Sequence, residues 1–157
     1  MEFPRRIYTV TEVMKARECV NNGYKHRLTV SGSKDFKEKV KRIKSLLRIT
    51  DYFDFFRTYI RTIQEIDGIS QLRETEATIW LNDVLASKPC DGSRFLIQKA
   101  YQMQDYLAGK QFYEKGEMAA IEKSLDFLRL LQEKRIADDL KQQCKLILDQ
   151  WTDDQVL

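Results

Sequence analysis

The fold prediction starts from residues 33–48, which read SKDFKEKVKRIKSLLR. Within this stretch the apolar side chains recur at intervals of four, three and four residues, which puts them on one face of an α-helix. Ser33 precedes them and can accept a hydrogen bond from a backbone N–H of the first turn. The stretch therefore predicts an amphipathic helix from about Lys34 to Arg48. Its inward-facing residues are Phe36, Val40, Ile43 and Leu47.

The same helix carries a second periodic set, made of cations. They recur at 3-4-3-4 spacing and lie about 100° round the helix from the apolar face. Cations arranged in this way can bind an acidic protein or follow the phosphates of a nucleic acid. A solvated face with no binding role has the same pattern, so the alternatives stay open. We call this set the basic stripe, and it consists of Lys34, Lys37, Lys41, Lys44 and Arg48.

The beginning of this helix adds a candidate anion site. Gly32 and Ser33 precede Lys34, so free backbone N–H groups and the positive end of the helix dipole would lie beside the first cation of the basic stripe. This arrangement favours phosphate binding at the helix N-terminus.

On the N-terminal side, Thr9 and Glu12 have the spacing of a capping box, in which each side chain bonds the other residue's backbone N–H. We predict a helix over about residues 10–20 and a turn at residues 21–23, where two Asn precede a Gly. Residues 24–32 alternate loosely and include β-branched side chains, which favours a short strand there.

On the C-terminal side, apolar residues at helical spacing predict a run of further helices. The first begins at Thr50 or Asp51 and ends near Gly68, and the second covers about residues 70–85. Beyond a loop at residues 87–93, three more helices follow toward the C-terminus.

Together these elements predict an all-α fold, a compact antiparallel helical bundle of about six or seven helices, to which a short N-terminal β element near residues 24–32 can be added. Helices joined by short loops pack antiparallel to their neighbours. Only six Gly and two Pro occur in the 157 residues, which agrees with long helices and few tight turns. We predict one domain over residues 1–157, in which residues 1–32 form an N-terminal element and residues 152–157 a frayed tail.

Composition narrows the class of protein. The three cysteines are far apart and lack metal-binding spacing, which indicates a reducing cytoplasm. The N-terminus lacks the apolar segment of a signal peptide, and no stretch approaches ~18 apolar residues, so no membrane partner is predicted. Residues 1–50 carry 13 basic and 5 acidic side chains, a net charge of +8, whereas the whole chain carries +3. A basic first third can guide an acidic partner to one end of the molecule.

The segment over residues 70–83 is the most site-like part of the sequence. Taken as a helix, it is apolar nearly all round and therefore central in the fold. Charges within it need partners, because an unpaired buried ion is very costly. One interpretation is a polar pocket, and the other is a structural ion pair between Arg73 and Glu76 at i,i+3. The pocket would be lined by Arg73, Glu74, Glu76, Trp80 and Asn82.

The sequence contains few residues or motifs that indicate catalysis. His26 is the only histidine, so a multi-histidine metal site or relay is ruled out. Glycine-rich phosphate-binding motifs and nucleophile elbows are missing from the sequence. The aromatic residues between Tyr52 and Tyr59 have helical spacing and are interpreted as core rather than as base-stacking groups. We predict no catalytic residue, no metal ligand and no cofactor.

The predicted function is a non-enzymatic helical protein–protein interaction or adaptor protein of the cytoplasm, which presents the basic stripe to an acidic protein partner. The alternative is a small nucleic-acid-binding accessory protein that uses the same stripe. Both lose affinity as salt rises, but only the second binds random oligonucleotides. A third interpretation, an enzyme that uses Arg73 and Glu76, requires a concave pocket at those residues.

Overall fold

The structure, a computed structural model, describes residues 2–151 in full and the backbone of residues 152–156. The side chains of the tail predicted over residues 152–157 therefore lie outside the described residues. The helices are α1 (Val10–Asn21), α2 (Lys34–Ile49), α3 (Phe53–Tyr59), α4 (Asp83–Ala86), α5 (Pro89–Leu107), α6 (Lys115–Gln132) and α7 (Asp138–Val156). The strands are β1 (Thr29–Ser31), β2 (Thr62–Ile66), β3 (Gln71–Arg73) and β4 (Thr78–Asn82).

The prediction of an all-α antiparallel bundle is wrong, because the four strands form one mixed sheet in the order β1-β2-β4-β3. β1, β2 and β4 run parallel, and β3 runs antiparallel to β4. In place of the helix predicted up to Gly68, α3 is followed by β2. The helix predicted over residues 70–85 is replaced by β3, a 3₁₀ turn (Glu74–Glu76), β4 and α4. The fold is α/β.

α2 and α3 make the crossover between the parallel strands β1 and β2. Parallel neighbours cannot be joined by a tight turn, so the connection between them needs a long segment that is usually helical. The segment predicted to favour a strand, residues 24–32, contains β1, which pairs with β2 through Val30 and Ile63. That strand is the edge of the sheet rather than an isolated element.

The two faces of the sheet differ because successive side chains of a strand point to opposite sides. Ile63 of β2 and both Ile79 and Leu81 of β4 are fully buried in the core. Gln64 pairs with Trp80 on the other face, where Gln64 is exposed and Trp80 is half-buried. The sheet thus covers the helical core with one face and presents polar side chains on the other.

α5 lies at the centre of the core and contacts α1, α2, α3, α4, α6 and α7. Its inward side chains are fully buried, and each such Leu or Ile contributes roughly 1.5–3 kcal/mol. Gly92 lets α2 approach, since a Cβ there would lie 2.8 Å from the Ile43 Cδ1 atom. This contact fixes α2 against α5 by its apolar face and leaves the other side of α2 outward.

The N-terminal prediction is confirmed at α1. Thr9 Oγ1 accepts a hydrogen bond from Glu12 N–H at 3.2 Å, and Glu12 Oε1 accepts one from Thr9 N–H at 2.9 Å. Both halves of the capping box are therefore present. The chain before α1 runs beside the sheet, because Ile7 N–H donates to the carbonyl of Thr75 at 2.8 Å.

Candidate interaction surface

The basic stripe lies on an exposed ridge of α2. Ser33 caps this helix by accepting a hydrogen bond from Phe36 N–H at 3.1 Å. All four residues of the predicted apolar face are fully buried. Four of the five stripe cations are exposed, and Lys44 is half-buried. At 1.5 Å per residue, the ridge from Lys34 to Arg48 is about 21 Å long.

The stripe is not neutralised by carboxylates of the described residues. Within that part of the chain, its nitrogens form no ion pair of 4.0 Å or less with an acidic oxygen. The opposite flank of α2 differs, because Lys39 Nζ lies 2.9 Å from both Asp83 and Asp35. The Lys39 ammonium group donates hydrogen bonds to the carboxylates of Asp83 and Asp35, and these bonds raise its pKa. α2 therefore has one neutralised flank and one cationic flank.

The pKa of Lys44 is affected by its position within the basic stripe. Burial of this side chain, followed by the charges of Arg48 and Lys41, lowers the pKa of its ammonium group. A like charge nearby disfavours the charged form, whereas an anion nearby favours it. An acidic ligand bound to this ridge would therefore offset the repulsion that Arg48 and Lys41 exert on Lys44.

The cationic surface continues from α2 onto α3. The guanidinium of Arg48 lies 4.4 Å from the ring centroid of Phe53, and that of Arg57 lies 5.8 Å from the same centroid. Arg57 Nε also donates to Asp54 at 2.8 Å. Cation–π contacts hold Arg48 in place at the end of the ridge.

Two further cations lie at this end of the surface. The backbone N–H of His26 donates to the carbonyl of Arg57 at 2.8 Å, which places residues 25–27 beside the end of α3. His26 is buried, and its neighbours Lys25 and Arg27 are exposed. The sequence analysis missed these residues, because nothing local to residues 24–28 shows that they lie next to Arg57.

The aromatic side chains of α3 are used for packing. Phe55 lies 4.4 Å from Tyr101 of α5 between ring centroids, and Tyr52 lies 5.2 Å from Phe127 of α6. Phe56 is fully buried. Base stacking needs an accessible ring face, and the rings of Tyr52, Phe55 and Phe56 pack on other side chains instead. Phe53 differs, because its ring lies under the guanidinium groups of Arg48 and Arg57.

The anion site predicted at the start of α2 is occupied by the protein itself. Ser33 N–H donates to Glu65 Oε1 at 2.8 Å. At Gly32 a Cβ would lie 2.7 Å from the Glu65 Cβ atom, so the two segments are in close contact. The carboxylate of Glu65 therefore takes up the Ser33 N–H at the start of α2, and the predicted use of this helix N-terminus for a phosphate stays a prediction.

The residues predicted to line a polar pocket around Trp80 make other contacts in the structure. Arg73 of β3 lies with its guanidinium carbon 4.4 Å from the Trp80 ring centroid, as a cross-strand cation–π contact. Glu74 and Glu76 lie in the 3₁₀ turn that follows. The alternative interpretation, an i,i+3 ion pair between Arg73 and Glu76, is not formed among the described residues, because Arg73 ends β3 and Glu76 ends the 3₁₀ turn instead of sharing one α-helix face.

Asn82, the fifth residue of that predicted pocket, has a structural role. Its Oδ1 accepts from Val84 N–H at 2.8 Å and caps α4, while its Nδ2 donates to the Gly68 carbonyl at 2.9 Å. It also lines an open cavity of about 310 Å³ together with Ser70 and Lys88. Asn82 therefore ties the end of β4 to the loop after β2.

Replacing Asn82 with alanine is expected to lower the free energy of unfolding by about 1–2 kcal/mol, since a cap and a tether are both lost. Asn82→Asp keeps the cap acceptor and loses only the donor to Gly68, so its loss is expected to be smaller. Urea titration followed by circular dichroism measures both values. Equal stability of Asn82→Ala and the parent protein would contradict the structural role.

A separate surface on α1 is apolar. Tyr8, Val10 and Met14 are 71%, 77% and 59% exposed. Beside them lies an open cavity of about 440 Å³ whose wall includes Tyr106 and Gly109. Clustered exposed apolar side chains mark contact surfaces, and this one is chemically distinct from the basic stripe.

Within residues 2–151, His, Cys, Asp and Glu side chains form no group of three or more that could hold a metal ion. Among the described helices, none has the length and apolarity to cross a membrane. No family model, curated protein or solved structure matches this chain. The fold and surface define an α/β protein that carries an exposed cationic helix.

Proposed function

We propose that this chain is a non-enzymatic interaction protein that binds an acidic partner protein through the basic stripe. The observation that carries the proposal is the contrast on α2: Lys39 has two carboxylates, whereas the stripe has none among the described residues. Unneutralised cations on one ridge speed the encounter with an acidic protein and orient it. A cytoplasmic location belongs to the same proposal and is supported by the odd number and wide spacing of the cysteines in the sequence, which do not form the pattern of a secreted disulfide framework.

The length of the ridge and the spacing of its cations restrict which acidic partners can bind to it. Cations spaced at three and four residues along about 21 Å match carboxylates spaced in the same way on a partner helix, or an extended acidic segment. Exposed ion pairs contribute about 0.2–1 kcal/mol each. The complex is therefore expected to form quickly, to be moderate in affinity and to weaken steeply as salt is added.

The alternative, a nucleic-acid-binding accessory protein, uses the same cations. Two observations favour the protein partner over it. The rings of Tyr52 and Phe55 are packed against Phe127 and Tyr101 rather than presented to bases. At the α2 N-terminus, the carboxylate of Glu65 accepts the Ser33 N–H and adds a negative charge where a phosphate would bind.

A direct comparison of two polyanions tests the proposal. Fluorescently labelled poly-L-glutamate stands in for the acidic partner, and random oligonucleotides of single-stranded and duplex DNA stand in for nucleic acid. Each is titrated with the protein at ~50 mM salt and followed by anisotropy and gel shift. We expect saturable binding of poly-L-glutamate and much weaker binding of both oligonucleotides.

The other outcomes decide against the proposal in different ways. Tighter binding of an oligonucleotide than of poly-L-glutamate would replace the protein partner with a nucleic acid. Absence of binding to either polyanion at ~50 mM salt would remove the stripe as a binding surface.

A further inference from the structure

Two of the three cysteines meet in the core, although they are 54 residues apart in the chain. Cys90 is the second residue of α5, and Cys144 lies in the middle of α7. Their sulfur atoms are 3.2 Å apart, and both residues are fully buried. Nothing in the spacing of the cysteines in the sequence indicates this contact.

The pair is oriented by α7. Cys90 Sγ donates to the carbonyl of Leu140 at 3.3 Å, which is one turn before Cys144 on the same helix. Both thiols therefore point into the α5–α7 contact, and each sulfur has the other as a neighbour. The third cysteine, Cys19, lies elsewhere in α1, with its sulfur 3.8 Å from the carbonyl of Glu2.

We propose that Cys90 and Cys144 form a covalent modification site, at which a small-molecule disulfide converts the two thiols into an intramolecular disulfide that joins α5 to α7. The thiol–thiol contact carries this proposal, because disulfide formation needs two sulfurs whose Cβ atoms already face each other. The inference is independent of the basic stripe.

The reaction proceeds by two exchanges. The Cys144 thiolate attacks one sulfur of the oxidant, the oxidant's S–S bond breaks, and one thiolate leaves and takes up a proton. Cys90, on losing its proton, then attacks the Cys144 sulfur of the mixed disulfide and displaces the second thiol. The two cysteines lose two protons and two electrons in all, and the oxidant is reduced to two thiols.

The order of attack follows from the acidities of the pair. The contact with Cys144, together with burial, raises the pKa of the Cys90 thiol. The hydrogen bond with Cys90 lowers the pKa of Cys144. Since the thiolate is the nucleophile, the lower pKa favours Cys144 for the first attack, and the same disulfide results if Cys90 attacks first.

Access to the pair depends on α7, which packs on α5 and α6. A buried thiol reacts only when the element that covers it opens locally. Oxidation is therefore expected to be slow in buffer and faster in mild denaturant. Once formed, the disulfide closes a loop of about 55 residues and is expected to raise Tm by about 10 °C.

The test treats the full chain with excess oxidised glutathione, in buffer and in ~1 M urea, and compares it with the dithiothreitol-reduced protein. The protein is then unfolded in concentrated denaturant, its free thiols are blocked with N-ethylmaleimide, and intact and peptide masses are measured. We expect a mass lower by two hydrogens before blocking, one blocked thiol at Cys19, a linked Cys90–Cys144 peptide and the higher Tm.

Cysteine variants show whether the mass change and the Tm shift come from the proposed disulfide. Cys19→Ala is the matched control, since it removes a buried thiol and should leave the internal disulfide and its Tm shift unchanged. Cys144→Ser and Cys90→Ala should each abolish the shift, and the reduced parent protein reports any loss of folding. Stable glutathione adducts, disulfide-linked dimers, or three unmodified thiols after treatment in ~1 M urea would overturn the proposal.

Discussion

Replacing Ile79 with alanine is expected to lower the free energy of unfolding by about 3 kcal/mol, the middle of the range for removing a buried Ile side chain. Ile79 is fully buried on the central strand β4, where it pairs with Ile63 of β2 and Leu72 of β3. The lost methyl and methylene groups leave a cavity between the sheet and the helices. Urea titration followed by circular dichroism gives the change directly.

Val84→Ala is the matched control for Ile79→Ala. Val84 is 64% exposed in α4, so its truncation is expected to change stability by less than about 0.5 kcal/mol. A helix over residues 70–85 would put Val84 on the apolar surface together with Ile79. Comparable losses for the two variants would therefore contradict the sheet.

Acidification is expected to remove about 3 kcal/mol of stability through His26 alone. Burial, followed by the charge of Arg61, lowers the pKa of His26 from 6.5 to about 4. The ring is 2% exposed and lies 4.4 Å from Phe3 and 5.0 Å from Tyr24 between centroids. Its Nε2 has no hydrogen-bond partner within the described residues.

The direction of the pH effect follows from proton binding. His26 is a base whose pKa is lower in the folded protein than in the unfolded chain, so between pH 6.5 and about 4 the unfolded chain binds the extra proton. This contribution to stability is complete above pH 6.5 and is lost as the pH falls toward 4. His26→Phe places an uncharged ring in the same aromatic cluster and should be nearly free of the effect.

Denaturant titrations of the parent protein and His26→Phe at pH 7.5, 6, 5 and 4.5 measure this difference. Carboxylates titrate in both proteins, so the difference between the two curves isolates His26. We expect the stability of the parent protein to fall relative to the variant at each step toward low pH. Parallel curves would show that His26 takes up its proton in the folded state without cost.

The sequence predicted the elements that depend on short-range patterns. α2 has four apolar residues over four turns and a cap at Ser33, all of which are local to one helix. The capping box of Thr9 and Glu12 is local in the same way. The basic stripe could be predicted because the outward face of an amphipathic helix follows from its inward face.

The sheet could not be predicted by the same means. Its strands are three to five residues long, too short for alternation to stand out from a helical pattern. The apolar residues Leu72, Ala77, Ile79, Trp80, Leu81 and Val84 together occupy most of a helical wheel, so the inward pair Ile79 and Leu81 does not stand out as a strand. What makes β4 a strand is its pairing with β2, which lies 16 residues earlier at the Ile63–Ile79 register.

Long-range pairing also explains what was missed at the candidate site. Glu65 occupies the α2 N-terminus only because β1 and β2 pair with Ser31 opposite Gln64. Lys25 and Arg27 lie beside the end of α3 because the backbone N–H of His26, the residue between them, donates to the carbonyl of Arg57. Such contacts exist only in the assembled sheet and have no signature within one segment.

The central claim, that the basic stripe binds an acidic partner, is tested most directly by reversing its charges. Affinity for labelled poly-L-glutamate at ~50 mM salt is measured for the parent protein, for a stripe variant and for a variant with the same net charge. Circular dichroism confirms that all three are folded. The stripe variant is Lys37→Glu, Lys41→Glu, Lys44→Glu, and the charge-matched variant is Lys110→Glu, Lys141→Glu, Lys145→Glu, at three exposed positions.

We expect the stripe variant to bind about 30-fold more weakly than the parent protein, because three attractive pairs become repulsive. The charge-matched variant should lose only the small part of the affinity that comes from net charge. Equal losses in the two variants would mean that poly-L-glutamate responds to the total charge of the protein and not to the ridge of α2.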